Sequence, residues 1–144
     1  MSHPARKPRH SYHHGDLREA LIQAALREAE QGGSEAISIK ALAKTLGVSQ
    51  PAPYRHFADR EALLVAVTAE AFRQFNTTLR EALARPSKRT KLSRLAQAAL
   101  VFGLERSGIY RLMFASRTMA CAPDDGELHV AARETLVLDR KSVV

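Results

Sequence analysis

Residues 38–64 read SIKALAKTLGVSQPAPYRHFADREALL, and this stretch decides the fold. Ser38 is a good N-cap for a short helix over Ile39–Leu46, because a serine hydroxyl can accept a hydrogen bond from a free backbone N–H. Ala43 is small enough to let a second helix cross closely. Gly47, four residues later, can adopt the left-handed conformation that ends a helix.

The residues after this glycine complete a recognisable pattern. Val48 is placed to fill the space between two helices, and Ser49 is placed to cap a third short helix over Gln50–His56. Two prolines early in that helix are tolerated, because its first N–H groups have no partner within the helix. The whole pattern predicts a helix-turn-helix motif at Ser38–Phe57.

The flanking sequence predicts more helices and no strand. Asp16 and Glu19 have the spacing of a capping box at the start of a first helix, which Gly32-Gly33 ends. A long helix with a continuous apolar stripe is predicted from Asp59 to about Ala84, before Pro86. Further helices are predicted at about Thr90–Glu105, at Ile109–Met119 and from near Glu127. The fold class is therefore all-α, with a three-helix head joined by a long helix to a helical C-terminal region.

Composition narrows the partners and the compartment. A net charge of +7 with a pI near 10.1 suits a polyanion, nucleic acid first and an anionic membrane surface second. A single cysteine, Cys121, allows no disulfide within the chain, and residues 1–16 lack the apolar core of a signal peptide. We therefore expect a cytoplasmic protein. The chain shows no nucleophile elbow, zinc-protease, P-loop or dinucleotide-loop motif, so we expect no enzyme and no cofactor.

In a helix-turn-helix motif the second helix enters the major groove of DNA. Gln50 is suited to a two-bond contact with adenine, and Ala52 or the neighbouring prolines to a thymine methyl. Side chains at the edges of the motif are suited to phosphates. The predicted DNA-binding residues are Ser38, Lys40, Ser49, Gln50, Pro51, Ala52, Pro53, Tyr54, His56 and Arg60.

Residues outside the motif leave alternatives open. His10, His13 and His14 cluster, yet without further ligands at good spacing we predict no metal site. Arg6, Lys7 and Arg9 either reach a minor groove or are solvated. Cys121 is either a redox sensor or an inert thiol. The alternative to DNA binding is a helical ligand- or metal-binding module.

The sequence resembles the TetR/AcrR family of bacterial regulators. The resemblance rests on VSQPAPYRHF at Val48–Phe57, ADREAL at 58–63 and HGDLREAL at 14–21. The wording of Ala52–Phe57 resembles the branch with a C-terminal WHG domain, and Ile109–Phe114 fits the start of that domain. The sequence departs from the general family pattern at Pro53, where a larger aliphatic residue is usual.

The resemblance implies a homodimeric repressor that reads a palindromic operator, is bound to the nucleoid when on DNA, and releases it in response to a small-molecule effector. It implies DNA contacts from Lys40, Gln50, Pro51, Ala52, Tyr54, His56 and Arg60. Two interpretations remain open for four residues of the C-terminal region: they line an effector pocket, or they are simply part of the core. These residues are Phe102, Tyr110, Met113 and Phe114.

These inferences divide the chain into four segments. We expect a flexible basic arm at 1–15, a DNA-binding domain at 16–76 and a partial ligand-binding and dimerisation domain at 77–138. Residues 139–144 can be encoded by a nucleotide string, followed by a stop codon, that matches a common sequencing adapter. One interpretation of these six residues is therefore an artefact of truncation, and the other is a genuine basic tail. We therefore expect dimerisation to be impaired and DNA binding by this chain to be weak and salt-sensitive.

Overall fold

The computed structural model describes the backbone of residues 14–140 and the side chains of 16–120 and 122–138. The predicted arm at 1–15, with its histidines and basic residues, lies outside the described side chains. So do the thiol of Cys121 and the last six residues.

Seven α-helices and two 3₁₀ turns make up the described chain, and no strand occurs between residues 14 and 140. The all-α prediction is confirmed. No helix in this range is long and apolar enough to cross a membrane. The helices are α1 (His14–Gly32), α2 (Ile39–Thr45), α3 (Arg60–Ala84), α4 (Lys91–Glu105), α5 (Ser107–Phe114), α6 (Thr118–Cys121) and α7 (Glu127–Arg140). The 3₁₀ turns are Gly33–Ala36 and Ala52–Arg55.

Local signals set several of these boundaries as predicted. The Ser38 hydroxyl accepts from the Ala41 N–H at 3.4 Å, and the Asp59 carboxylate accepts from the Ala62 N–H at 2.8 Å. Gly33 and Gly47 have φ of 66° and 67°, the left-handed region in which glycine costs least. The predicted caps at Ser38 and Asp59 and the predicted glycine stops of α1 and α2 are therefore confirmed.

Three predicted boundaries are wrong. Asp16 does not cap α1, because the helix already begins at His14. Its carboxylate lies in the first turn, where a negative charge still interacts favourably with the helix dipole. The predicted helix Gln50–His56 is a 3₁₀ turn over Ala52–Arg55, since two prolines remove N–H donors from so short a segment. The predicted helix Ile109–Met119 is two helices, α5 and α6, separated at residues 115–117.

The long helix α3 is the centre of the packing. Its buried residues run from Leu63 to Leu79, so both the first half and the second half of the chain share one core. Edge-to-face aromatic contacts tie it to its neighbours. The ring of Phe75 lies 5.1 Å from that of Phe102 on α4, and the ring of Phe72 lies 5.5 Å from that of Phe114 on α5.

A buried amide fixes α7 against α3. Asn76 is fully buried; its side-chain N–H donates to the Ala131 carbonyl at 2.9 Å, and its carbonyl oxygen accepts from the Thr135 hydroxyl at 2.5 Å. Because an unpaired buried amide is costly, these two bonds specify one register of α7 along α3.

Helix α5 approaches α1 closely at Gly108. A Cβ at this position would lie 2.0 Å from the Ala29 carbonyl oxygen and 2.6 Å from that of Glu30. The guanidinium of Arg106, just before α5, donates to the Glu30 carboxylate at 2.6 Å and to the Gln74 side-chain oxygen at 2.7 Å. The start of α5 therefore joins α1 to α3.

Gly108→Ala is expected to destabilise the fold by about 3 kcal/mol or more, because a methyl group must displace backbone rather than a mobile side chain. Gly103→Ala is the matched control. A Cβ there would meet only the edge of the Tyr110 ring at 3.3 Å, and alanine favours a helix interior over glycine. Urea unfolding followed by circular dichroism measures both. Equal stabilities of the two variants would contradict this packing.

Candidate nucleic-acid interface

The turn between α2 and the second 3₁₀ segment is closed by backbone hydrogen bonds. The Val48 N–H donates to the Ala43 carbonyl at 3.0 Å, and the Gly47 N–H donates to the Lys44 carbonyl at 3.2 Å. Ala43 is fully buried, and Val48 packs half-buried against the core. The small residue, the left-handed glycine and the valine therefore occupy the positions predicted for a helix-turn-helix.

We call Gln50–His56 the recognition segment. Its 3₁₀ geometry determines which of its side chains face outward. At three residues per turn, residues three apart share a face. Pro53 and His56 lie on one face, with Pro53 buried and His56 half-buried. Pro51 and Tyr54 lie on another face, and both are exposed, Tyr54 by 55%.

The exposed surface continues onto α2. Gln50 is exposed, and its side-chain amide lies 3.5 Å from the Lys40 carbonyl oxygen. Ser49 and Lys40 are also exposed. We call seven of the exposed side chains of this region the head surface. It comprises Ser38, Lys40, Ser49, Gln50, Pro51, Tyr54 and Arg55.

Some predicted contact residues have other roles in the structure. Pro53 is part of the core, so its ring is withdrawn from the surface. Ala52 is half-buried. The predicted cap by the Ser49 hydroxyl is wrong, because Pro51 occupies the cap position and no side chain caps the turn there.

Arg60 stabilises the helix-turn-helix motif through hydrogen bonds to two backbone carbonyls. Its guanidinium donates to the Ile37 carbonyl at 3.0 Å and to the Ser34 carbonyl at 2.6 Å. These carbonyls precede α2, whereas Arg60 begins α3, so one side chain joins the entry and the exit of the motif. Its side chain remains 40% exposed.

Arg55 was absent from the residues predicted from sequence. It is exposed at the end of the 3₁₀ turn, beside Tyr54. Its charge was visible in the sequence. The direction of its side chain could not be predicted, because an α-helix and a 3₁₀ turn place the same residue on different faces.

The four residues predicted for an effector pocket separate into two pairs. Met113 and Phe114 line a cavity of about 290 Å³ between α3, α5, α6 and α7. Phe102 and Tyr110 do not line it: Phe102 is buried against Phe75, and Tyr110 packs on Phe114 with ring centres 4.7 Å apart. The remaining lining residues are Phe72, Ser116, Met119, Ala132, Thr135 and Leu136. Among the described residues, no group of three or more histidine, cysteine or acidic side chains is placed to hold a metal ion.

Residues 21–67, which include the whole motif, match the family model for bacterial regulatory proteins of the tetR family. The tetracycline repressor protein class C of Escherichia coli is 46% identical over 61 residues, which are 42% of this chain and 27% of the repressor. The chain thus spans about a quarter of that relative's length.

Two solved structures extend the likeness beyond the head. A protein of unknown function from Rhodococcus sp. RHA1 is 30% identical, with a TM-score of 0.73 over 90% of this chain and 67% of its own. A crystallised protein to which a regulatory role has been assigned is 31% identical, with a TM-score of 0.71 over 94% of this chain and 64% of its own. The helical fold and the helix-turn-helix motif together define the class of helix-turn-helix regulatory proteins. The chain belongs to the TetR/AcrR family of bacterial regulators.

Arg60→Ala is expected to lower the free energy of unfolding by about 2 kcal/mol, because a charged donor to two carbonyls is lost. Arg55→Ala removes the same charge from an exposed position and is expected to change stability by less than about 0.5 kcal/mol. Chemical denaturation of both variants makes the comparison. Unchanged stability of Arg60→Ala would show that its two hydrogen bonds do not hold the motif.

Proposed function

We propose that this chain is the DNA-reading and effector-sensing part of a transcriptional repressor that binds a palindromic operator as a homodimer in the bacterial cytoplasm, bound to the nucleoid when on DNA. The observation that carries the proposal is the head surface, which a TetR-type motif presents with its polar side chains outward. The likeness to bacterial regulatory proteins supports a regulatory rather than a catalytic role.

Base reading is assigned to the start of the recognition segment. Gln50 is the side chain best suited to adenine, since its amide can both donate and accept in the major groove. Pro51 offers an apolar face to a thymine methyl. Tyr54, Arg55 and Lys40 flank it and are suited to phosphates, which position a protein without reading sequence. A net charge of +7 favours association with DNA.

The effector site is assigned to the cavity between α3, α5, α6 and α7. Its aromatic and methionine side chains suit an uncharged, largely apolar molecule, and the Ser116 and Thr135 hydroxyls offer polar contacts. Thr135 also bonds to Asn76, which sets the position of α7. A ligand that displaces Thr135 would therefore act on the packing of α7 against α3.

A connection from α7 to the head supports this proposal. The Glu127 carboxylate, in the first turn of α7, pairs with Arg18 of α1 and with Arg73 of α3, both at 3.0 Å. Arg18 also lies 5.5 Å above the ring of Phe57, the last residue of the motif. A shift of α7 would therefore change the contacts of α1, which packs against the 3₁₀ turn Ala52–Arg55.

DNA reading is tested with sequences selected from a random duplex library by the purified chain. Gln50→Ala is expected to weaken binding by about 1–3 kcal/mol and to relax the preference at one A·T pair. Lys40→Ala is expected to weaken all sequences alike and to reduce the log–log salt slope by about 0.9. Fluorescence anisotropy at several salt concentrations measures both effects.

Arg111→Ala is the charge-matched control for Lys40→Ala, because Arg111 is exposed on α5 away from the motif. Wild-type DNA binding by Gln50→Ala and Tyr54→Ala, with native helicity, would refute reading by this segment. It would favour a ligand-binding module without a DNA role.

Effector binding is tested with the neutral aromatic probe N-phenyl-1-naphthylamine, whose fluorescence rises in apolar sites. Ala132→Trp fills the cavity and is expected to abolish this rise, because the space that receives the probe is lost. Leu100→Ala, on the outer face of α4, is the control and should leave it. Equal fluorescence of wild type and Ala132→Trp would exclude this cavity as the binding site.

A further inference from the structure

A second cavity lies where α3 ends and α4 begins. Its volume is about 450 Å³, compared with about 290 Å³ for the cavity that Met113 and Phe114 line. A cavity of this size can hold a small organic molecule. It shares no lining residue with that cavity or with the head surface. We call it the α3–α4 cavity.

Positive charge dominates the α3–α4 cavity. Arg85, Arg89 and Arg94 line it, and Glu81 is the one acidic side chain among the described lining residues. The sequence around the cavity is equally one-sided, because residues 82–104 contain five basic residues and no acidic one. A cleft lined by one sign of charge concentrates ions of the opposite sign.

Neutral oxygen atoms hold two of these arginines in place. The Nη2 group of Arg94 donates to the Ala82 carbonyl at 2.7 Å and to the Leu83 carbonyl at 2.6 Å. The Nη1 group of Arg89 donates to the Gln97 side-chain oxygen at 2.7 Å. Within the described range, none of the three guanidinium groups forms an ion pair. Their charges are therefore not neutralised by a carboxylate.

The same arginines keep donors available to a ligand. The hydrogen bonds of Arg94 use Nε and Nη2, and those of Arg89 use Nη1 alone, so each guanidinium retains N–H groups that bond to no other described residue. The Arg85 guanidinium makes no hydrogen bond within the described chain. Guanidinium groups bind carboxylates and similar anions through paired, charge-assisted hydrogen bonds.

Apolar surface makes up much of the remaining lining. Ala82, Pro86, Ala98 and Val101 contribute it. An inorganic ion would leave this surface in contact with water, whereas an organic ligand would cover it. The lining therefore favours an anion that carries an apolar body.

We propose that the α3–α4 cavity binds a small organic acid in its ionised form. Arg85, Arg89 and Arg94 contact the anionic group, and the apolar side chains contact the body of the ligand. Such a ligand joins α4 to the last turn of α3, because Arg94 already donates to carbonyls of that turn. The inference goes beyond the proposed function, and it depends neither on DNA binding nor on the other cavity.

Two fluorescent probes of nearly the same shape test the charge of the site. The anion 8-anilinonaphthalene-1-sulfonate is N-phenyl-1-naphthylamine with one added sulfonate group. The wild-type chain is expected to bind this anion, and higher ionic strength is expected to weaken binding. The double variant Arg85→Gln/Arg89→Gln should weaken it by about tenfold or more, because two cations are lost from the site. The neutral probe should bind the double variant as it binds the wild type.

Arg111→Gln is the matched control, because it removes a cation from an exposed position outside both cavities. It should leave binding of the anionic probe unchanged. Circular dichroism verifies that each variant keeps native helicity. Both arginines of the double variant are exposed, so a loss of binding with native helicity reports on charge rather than on folding.

Ala132→Trp separates this inference from the proposed effector site. It fills the other cavity, so the anionic probe should still bind while the neutral probe does not. Loss of the neutral probe's site alone would leave the α3–α4 cavity standing. Loss of the anionic probe in Ala132→Trp would place that probe in the other cavity and overturn the inference.

Competition tests the class of ligand. Octanoate should displace the anionic probe, whereas 1-octanol, which has the same chain length and no charge, should not. Four results would overturn the proposal: no binding of the anionic probe by the wild type, unchanged binding by Arg85→Gln/Arg89→Gln, an equal loss in Arg111→Gln, or equal displacement by octanoate and 1-octanol.

Discussion

The burial of α3 is the constraint on which the rest of the molecule depends. Residues from Leu63 to Leu79 are buried along one continuous helix, so the head and the C-terminal half cannot pack independently. The N-terminal end of α3 is held to the motif by Arg60, and its middle is held to α7 by Asn76. Its C-terminal carbonyls are capped by Arg94 of α4, which donates to Ala82 at 2.7 Å and to Leu83 at 2.6 Å. Helix α3 thus extends from the recognition segment to the cavity that Met113 and Phe114 line.

The recognition segment shows how a short sequence specifies a surface. Two prolines keep it from forming a regular α-helix, and the 3₁₀ turn that results directs Pro53 inward and Tyr54 outward. An α-helix would distribute the same residues differently. The side chains available to a ligand are therefore set by backbone geometry as much as by residue type.

Much of the fold could be predicted from sequence because its signals are local. Ser38, Gly47 and Asp59 each act on neighbouring backbone, and the long apolar stripe of α3 has helical period. The contacts of Arg60 could not be predicted, since its carbonyl partners lie more than twenty residues away in sequence. The same holds for the Cβ-free contact at Gly108 and for the pairing of Glu127 with two helices.

The central claim is that residues 38–57 present a DNA-reading surface and the helices behind them hold it in place. Backbone amide chemical-shift mapping of the isotope-labelled chain, titrated with a selected half-site duplex, tests it most directly. The account predicts that the largest changes fall on the amides of Lys40, Ser49, Gln50, Ala52, Tyr54 and Arg55, with smaller changes along α1. Largest changes on α4 or α7, or none at residues 49–55, would contradict it.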